Sequence, residues 1–198
     1  MTIHALAAGP RHSLGLRIDG TVASAGAGAA GESRTFDWAE VVAVAAGNVH
    51  AASNTGRSHS VGLLAGGTVT AVGWNGNGQC DVADWCEITA VAAGWRWTLG
   101  LRAGGTVVAA GRRDEGACDV GSWRQIVALA CGDWHSVGVR SDGTVVASGN
   151  DRRGQCRLEA WRDVVAVAAG SVHTVALTTT GTVLAAGSKS AGACEVDQ

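Results

Sequence analysis

The sequence has very little proline, few aromatic residues and few charges. One Pro, no Tyr, one Phe and 16% charged residues stand beside 30 Gly in a chain of 198 residues. Disordered chains are rich in charge and poor in apolar residues, so this composition excludes a disordered polypeptide and favours an ordered one with many tight turns. The length suits one domain with its own core, and we expect residues 1–198 to form a single domain.

Long apolar runs and a strong net charge are also missing. No stretch of about 18 uninterrupted apolar residues exists, and the first residues lack the basic start and apolar run of a signal peptide, so we expect neither a membrane span nor export. The formal net charge is −2, which provides no field to attract nucleic acid or acidic lipid. With six Cys, these features predict a cytoplasmic protein with reduced thiols.

One short segment recurs along the whole chain. It reads V-V-A-V-A-A-G from Val41, and related segments begin at Ile3, Ile88, Ile126 and Val164. The spacing is 38 residues except for one interval of 47, which contains nine extra residues within residues 48–57. The pattern predicts five repeats. They cover residues 3–40, 41–87, 88–125, 126–163 and 164–198.

Each repeat has the pattern of short antiparallel strands. An apolar run of small residues is followed by an H-[ST]-x-G-L segment and then by G-T-V-x-A-x-G, such as residues 143–149. Glycine-containing hairpins separate the second and third segments. Small residues suit the crowded axis of a ring of blades, so we predict an all-β fold, a five-bladed β-propeller with three to four strands per blade. An open solenoid is the alternative, but a propeller closes its ring and we see no capped end.

The repeat resembles a known family. The combination A-x-x-A-G-x-x-H-[ST]-x-G-L-x-x-[DG]-G-T-V-x-A-x-G, followed by G-Q-C and D-W, is similar to the repeats of the regulator of chromosome condensation (RCC) family, especially its short-repeat bacterial members. The resemblance covers the whole chain and implies a β-propeller, in that family usually of seven blades. Its members include an exchange factor for a small GTPase, a bacterial inhibitor of β-lactamase and a plant ultraviolet-B photoreceptor.

Two of these relatives direct attention to the residue that precedes the repeat His. The inhibitor binds its enzyme through aromatic residues at that point, and the photoreceptor carries G-W-R-H-T repeats. In this chain Gly94-Trp95-Arg96-Trp97-Thr98 is similar to the latter motif once. The positions that match the aromatic residues of the inhibitor are Arg11, Ser58, Arg96, Trp134 and Val172.

Most residues with reactive side chains fall at repeat positions, and we interpret them as structural. A His that recurs in every blade can hydrogen-bond neighbouring backbone, and ligands in separate blades would not converge on one metal ion. A recurring Trp just before the first strand should pack between adjacent blades. We therefore expect no metal and no cofactor. The repeated positions are His12, His59, His135 and His173; Cys80, Cys118, Cys156 and Cys194; and Trp38, Trp85, Trp123 and Trp161.

The candidate site comes from residues that do not follow the repeat. In an up-down-up blade the first turn and the exit from the third strand lie at the same end, which we call the top face, and here the five copies differ sharply. Exposed Trp in neighbouring loops is typical of recognition surfaces, although Trp97 is the one we most expect in the core. The candidate binding residues are Arg11, His50, Asn54, Trp74, Trp95, Arg96, Trp97, Asp133 and Trp134.

Three functions remain open on these residues. The first is a non-catalytic module that binds a protein or a small ligand at the top face. The second is a small cofactor-independent cyclase, hydrolase or isomerase that uses His50, Asp133 or Glu115 as acid or base. The third is self-assembly. We expect the chain to be a monomer or a weak homo-oligomer. Four guanidinium groups at the exits, those of Arg112, Arg113, Arg152 and Arg153, are mixed with carboxylates, and we interpret them as a solvated rim.

Overall fold

The computed structural model describes residues 2–26, 28–48 and 57–196, and in these ranges every regular element but one is a β-strand. The exception is a 3₁₀ turn, Ser190–Gly192, so no described helix could cross a membrane. The strands are β1 Ile3–Ala8, β2 His12–Arg17, β3 Val22–Gly26, β4 Val41–Ala46, β5 His59–Leu64, β6 Val69–Gly73, β7 Ile88–Ala93, β8 Trp97–Arg102, β9 Val107–Gly111, β10 Ile126–Cys131, β11 His135–Arg140, β12 Val145–Gly149, β13 Val164–Ala169, β14 His173–Thr178 and β15 Val183–Gly187.

The strands form five antiparallel sheets of three, one for each repeat, which we call blades A to E in chain order. Within each blade the second strand is central, and the first strand carries an irregularity near its start; in blade B, Val41 pairs with Leu64 but Ala43 pairs with Leu63. The predicted all-β propeller with five blades is confirmed, with three strands in each blade.

Consecutive blades are joined at the end opposite the top face. The hairpin glycine of one blade accepts a hydrogen bond from the first residue of the next, as when Val164 N donates to Gly143 O at 3.1 Å. Gly143 has φ +78°, and a Cβ there would lie 3.0 Å from the backbone of Asp163. A glycine is therefore required both by the left-handed conformation and by the close approach of the next blade.

The recurring Trp side chains pack between blades, as the repeat predicts. The Trp38 ring of blade A lies where a Cβ on Gly62 of blade B would be, at 2.9 Å, and Trp85 against Gly100 and Trp123 against Gly138 repeat this contact. These Trp residues belong to apolar clusters that each draw on two neighbouring blades. Burial of such large rings stabilises each junction.

The ring expected from the sequence is not closed between the first and last blades. Sheet packing joins A to B, B to C, C to D and D to E, whereas no described strand of blade E packs on blade A in this way. One side of blade A and one side of blade E are therefore exposed.

Candidate functional site

Backbone hydrogen bonds bring the first turns and the strand exits together at the top face. In each of four blades the residue after the third strand donates its N–H to the residue before the repeat His: Trp74 to Ser58, Arg112 to Arg96, Asn150 to Trp134 and Ser188 to Val172. The diversified loops thus lie side by side, supported by the rigid strands beneath them.

Just beneath these loops, a line of buried hydrogen bonds crosses the blade boundaries. In blades A to D, the side-chain ring of the repeat His, or of Trp97, contacts a hydroxyl group on the next blade. The contacts are His12 Nε2 to Ser60 Oγ at 2.9 Å, His59 Nε2 to Thr98 Oγ1 at 2.9 Å, Trp97 Nε1 to Ser136 Oγ at 3.0 Å and His135 Nε2 to Thr174 Oγ1 at 2.8 Å. We call this the His–hydroxyl line. Trp97 takes the place of the repeat His, which confirms its expected position in the core.

The hydroxyl groups of the line determine which ring nitrogen is protonated. Ser60 donates its only hydroxyl proton to Glu32 O, Thr98 donates to Gln79 O and Thr174 donates to Gln155 O. Each hydroxyl oxygen must therefore accept from the ring, so Nε2 carries a hydrogen. Burial lowers the pKa of His59 and of His135 to about 4, in agreement with a structural role for these residues.

The repeated cysteines hold the exit loops from inside. Cys80, Cys118, Cys156 and Cys194 each donate Sγ–H to the first residue of their own exit loop, with Cys118 Sγ 3.0 Å from Arg112 O. Burial raises the pKa of Cys80 and Cys156 to about 12 and that of Cys118 to about 11. The thiols of Cys80, Cys118 and Cys156 therefore stay protonated at neutral pH. In the described part of the chain no three His, Cys, Asp or Glu side chains are grouped to hold a metal.

Above the line, aromatic and guanidinium groups alternate across blades B, C and D. The Arg96 guanidinium lies 4.8 Å from the Trp74 ring centroid and 4.4 Å from that of Trp95. Arg112 lies 4.8 Å from Trp95 and 5.8 Å from Trp134, and the two indoles meet edge to face at 4.7 Å. Arg57 covers Trp74 at 5.4 Å. We call these six residues the Trp–Arg layer.

The backbone of Arg96 is held in an unfavourable conformation within this layer. Its φ is +74°, in the left-handed region that a side chain with a Cβ disfavours by about 1–2 kcal/mol. Burial, followed by the nearby guanidinium groups of Arg112 and Arg57, lowers the pKa of Arg96. The left-handed backbone and the two nearby guanidinium groups both lower the stability of the folded chain. Strained positions of this kind cluster at functional sites.

The predicted site residues fall into three groups. Trp74, Arg96 and Trp134 are part-exposed members of the layer, and Arg11 is exposed in the first turn of blade A. Trp95, expected to be exposed, is only 4% exposed, because the guanidinium groups of Arg96 and Arg112 and the ring of Trp134 all pack against its indole ring. The expectation that Trp95 offers its ring to a ligand is therefore wrong. His50 and Asn54 lie outside the described residues.

The candidate acids and bases do not converge in the described residues. Glu115 is bound by Arg112, with Glu115 Oε1 2.6 Å from Arg112 Nη2, and Asp133 is 9% exposed. A cleft of about 390 Å³ opens beside Trp134 between the exits of blades C and D, and Glu115, Arg152, Arg153 and Asn150 line it. Its lining combines the Trp134 ring with two guanidinium groups and one carboxylate, and no second acid or base candidate among the described residues lies in it.

Two members of the layer were not among the sequence candidates. The sequence predicts Arg112 in a solvated rim of mixed charge, and it places Arg57 at the end of the insertion in the second repeat. The available signal was their position, because each stands in a top-face loop whose neighbouring loop carries a Trp that does not follow the repeat.

Comparison with known families agrees with this geometry. The family model described as the regulator of chromosome condensation (RCC1) repeat matches residues 126–155 and 164–192. Two of the five repeats of this chain thus match the RCC1 repeat. The matched residues lie in blades D and E. Blades A to C have the same strand order, blades A and B have the same His–hydroxyl contact, and in blade C Trp97 replaces the His. No curated protein matches the sequence.

Solved structures of similar fold are propellers of distant sequence. Human WBSCR16 is 17% identical with a TM-score of 0.71, covering 94% of this chain and 62% of that one. Prp20p from Saccharomyces cerevisiae is 19% identical with a TM-score of 0.72, covering 95% and 57%. The CRINKLY WD40 ectodomain of the Arabidopsis thaliana receptor kinase ACR4 is 18% identical with a TM-score of 0.73, covering 94% and 72%. This chain thus spans less than two thirds of the first two structures.

Proposed function

We propose that this RCC1-repeat chain is a non-catalytic binding module that recognises a protein partner through the top face of blades B to D. The observation that carries the proposal is the Trp–Arg layer, in which residues from three blades and outside the repeat pattern join into one surface. Trp and Arg dominate the energetics of protein interfaces because both combine a large apolar area with a polar edge.

The charge of this surface favours an acidic partner segment. Arg113, Arg152 and Arg153 stand in the exit loops of blades C and D and add to the three guanidinium groups of the layer, against Asp114, Glu115 and Asp151 in the same loops. Asp114 and Glu115 pair with Arg112. A guanidinium stacked on a ring keeps its N–H edge available for a carboxylate. Prp20p, a structural neighbour, was described with binding properties to Gsp1p and histones, which supports protein binding as the general role of such a face.

A peptide-display library panned against the full chain tests this proposal. We expect the recovered peptides to be enriched in Asp and Glu, and their binding to weaken at least tenfold in the double variant Trp74→Ala with Arg96→Ala. The matched control is Arg124→Ala with Arg162→Ala, which removes two guanidinium groups that bond only backbone carbonyls near the blade linkers. Equal binding by both double variants, or recovered peptides without acidic enrichment, would contradict the proposal.

A further inference from the structure

The central strands of the inner blades show what a complete junction requires. Successive residues of a strand point to opposite sides of the sheet. In β5, β8 and β11 the first five residues are all buried, because one side of each sheet packs on the preceding blade and the other on the following blade. The repeat His, or Trp97, faces the following blade, and the Ser or Thr after it faces the preceding one.

Blade E leaves its following side uncovered. In β14 burial alternates: Thr174, Ala176 and Thr178 are buried, whereas His173 and Val175 are half-buried and Leu177 is 42% exposed. Val183, which pairs with Leu177, is 39% exposed, whereas the equivalent Val145 of blade D is 7% exposed. Leu177 and Val183 line an apolar cleft of about 340 Å³ together with Val175, Ala166 and Ala168.

Blade A leaves its preceding side uncovered in the opposite pattern. In β2, Leu14 and Leu16 are fully buried against blade B, whereas Ser13 is exposed. Leu6, which pairs with Gly15 on the side of Ser13, is 77% exposed. Ile3, whose side chain contacts that same Gly15, is 41% exposed, although the four residues at its repeat position are almost fully buried.

These two free sides are the two halves of the junction that the chain already forms four times. Blade E presents the ring of His173, at the position that donates to a hydroxyl group in the other blades, and blade A presents the hydroxyl group of Ser13 at the accepting position. We infer that a second copy of this chain occupies each free side, with blade E of one copy stacked on blade A of the next. His173 Nε2 would then donate to Ser13 Oγ of the neighbouring copy, and Leu6 would enter the cleft beside Leu177 and Val183.

A second copy is favoured over an unrelated partner because the four formed junctions demonstrate the match. Each uses the same strand position for the ring, the same position for the hydroxyl and an apolar residue at the position of Leu6. The contact is heterologous, so each association leaves another pair of free sides, and assembly continues unless the rotation between copies closes a ring.

Sedimentation or light scattering across a wide concentration range tests the inference. We expect the average mass to rise above 19.9 kDa with concentration. Leu6→Lys on blade A, or Leu177→Lys on blade E, should each weaken association by roughly a hundredfold, because an unpaired charge would be buried in the contact. Ile18→Lys is the control, since Ile18 is also 77% exposed but lies in a hairpin turn away from both free sides.

Mixing the two blocked variants distinguishes this contact from any other mode of pairing. Each variant retains one intact free side, and the two blocked sides both carry a positive charge, so equal amounts of Leu6→Lys and Leu177→Lys should form a one-to-one pair that grows no further. Unchanged thermal melting of each variant shows that the fold is intact. A wild-type chain that stays monomeric at high concentration, association unaffected by either substitution, or blocked variants that do not pair when mixed would overturn the inference.

Discussion

Two layers cross the blade boundaries at the top end of this propeller, and they are built in opposite ways. The His–hydroxyl line uses repeat residues, is buried and forms its hydrogen bonds from ring to hydroxyl and from hydroxyl to backbone within the chain. The Trp–Arg layer above it uses residues outside the repeat and is part-exposed. The repeat therefore supplies the contacts between blades, whereas departures from it supply the surface that we propose a partner recognises.

Acid should weaken the line before it affects the layer. The pKa of His59 and of His135 is about 4 in the folded chain, below the ordinary value of 6.5. The folded state therefore binds fewer protons than the unfolded state between these values. The stabilisation is complete above pH 6.5 and is lost as the pH falls from 6.5 toward 4, by up to roughly 3 kcal/mol for each ring.

Urea unfolding at several pH values between 7 and 4.5 measures this loss. The control is His59→Gln, whose amide can donate to Thr98 but does not titrate. Burial also lowers the pKa of His12, so the dependence on pH should fall by roughly a third to a half. A free energy of unfolding that does not change across this range would show that the rings are not held neutral.

Removing one ring separates formed junctions from the unformed one. His59→Ala leaves a cavity and deprives the Thr98 hydroxyl of its donor, so we expect a loss of roughly 3 kcal/mol. His173→Ala removes the same side chain from the free side of blade E and should cost under about 1 kcal/mol in the dilute chain. Thermal melting of both variants tests the comparison, and equal losses would mean that His173 has a structural role of its own.

The smallest effect should come from the strained turn of the Trp–Arg layer. Arg96→Ala removes the stacked cation and keeps a Cβ at φ +74°, whereas Arg96→Gly removes the cation and the strain together. We expect the Gly variant to be more stable than the Ala variant by about 1 kcal/mol, and both to lose peptide binding. Thermal melting orders the two, and an Ala variant that melts higher would show that the turn is not strained.

The sequence allowed the blades and their packing to be predicted because these depend on residues that recur. The strand order, Trp38 and its equivalents between blades, and Trp97 in the place of a His all follow from repeat position and alternation along a strand. The burial of Trp95 could not be predicted in this way. It depends on Arg112 and Trp134, which come from other loops and meet Trp95 only after the blades have stacked.

By itself, therefore, the sequence determined the local structure: five copies of one three-stranded unit, their turns and the strand positions of the repeated rings and hydroxyl groups. The tertiary structure alone decided two features. One is which top-face side chains cover each other, because that depends on distances between loops far apart in the chain. The other is the open side between blades A and E, because the curvature of stacked blades is set by their packing and not by any repeat read singly.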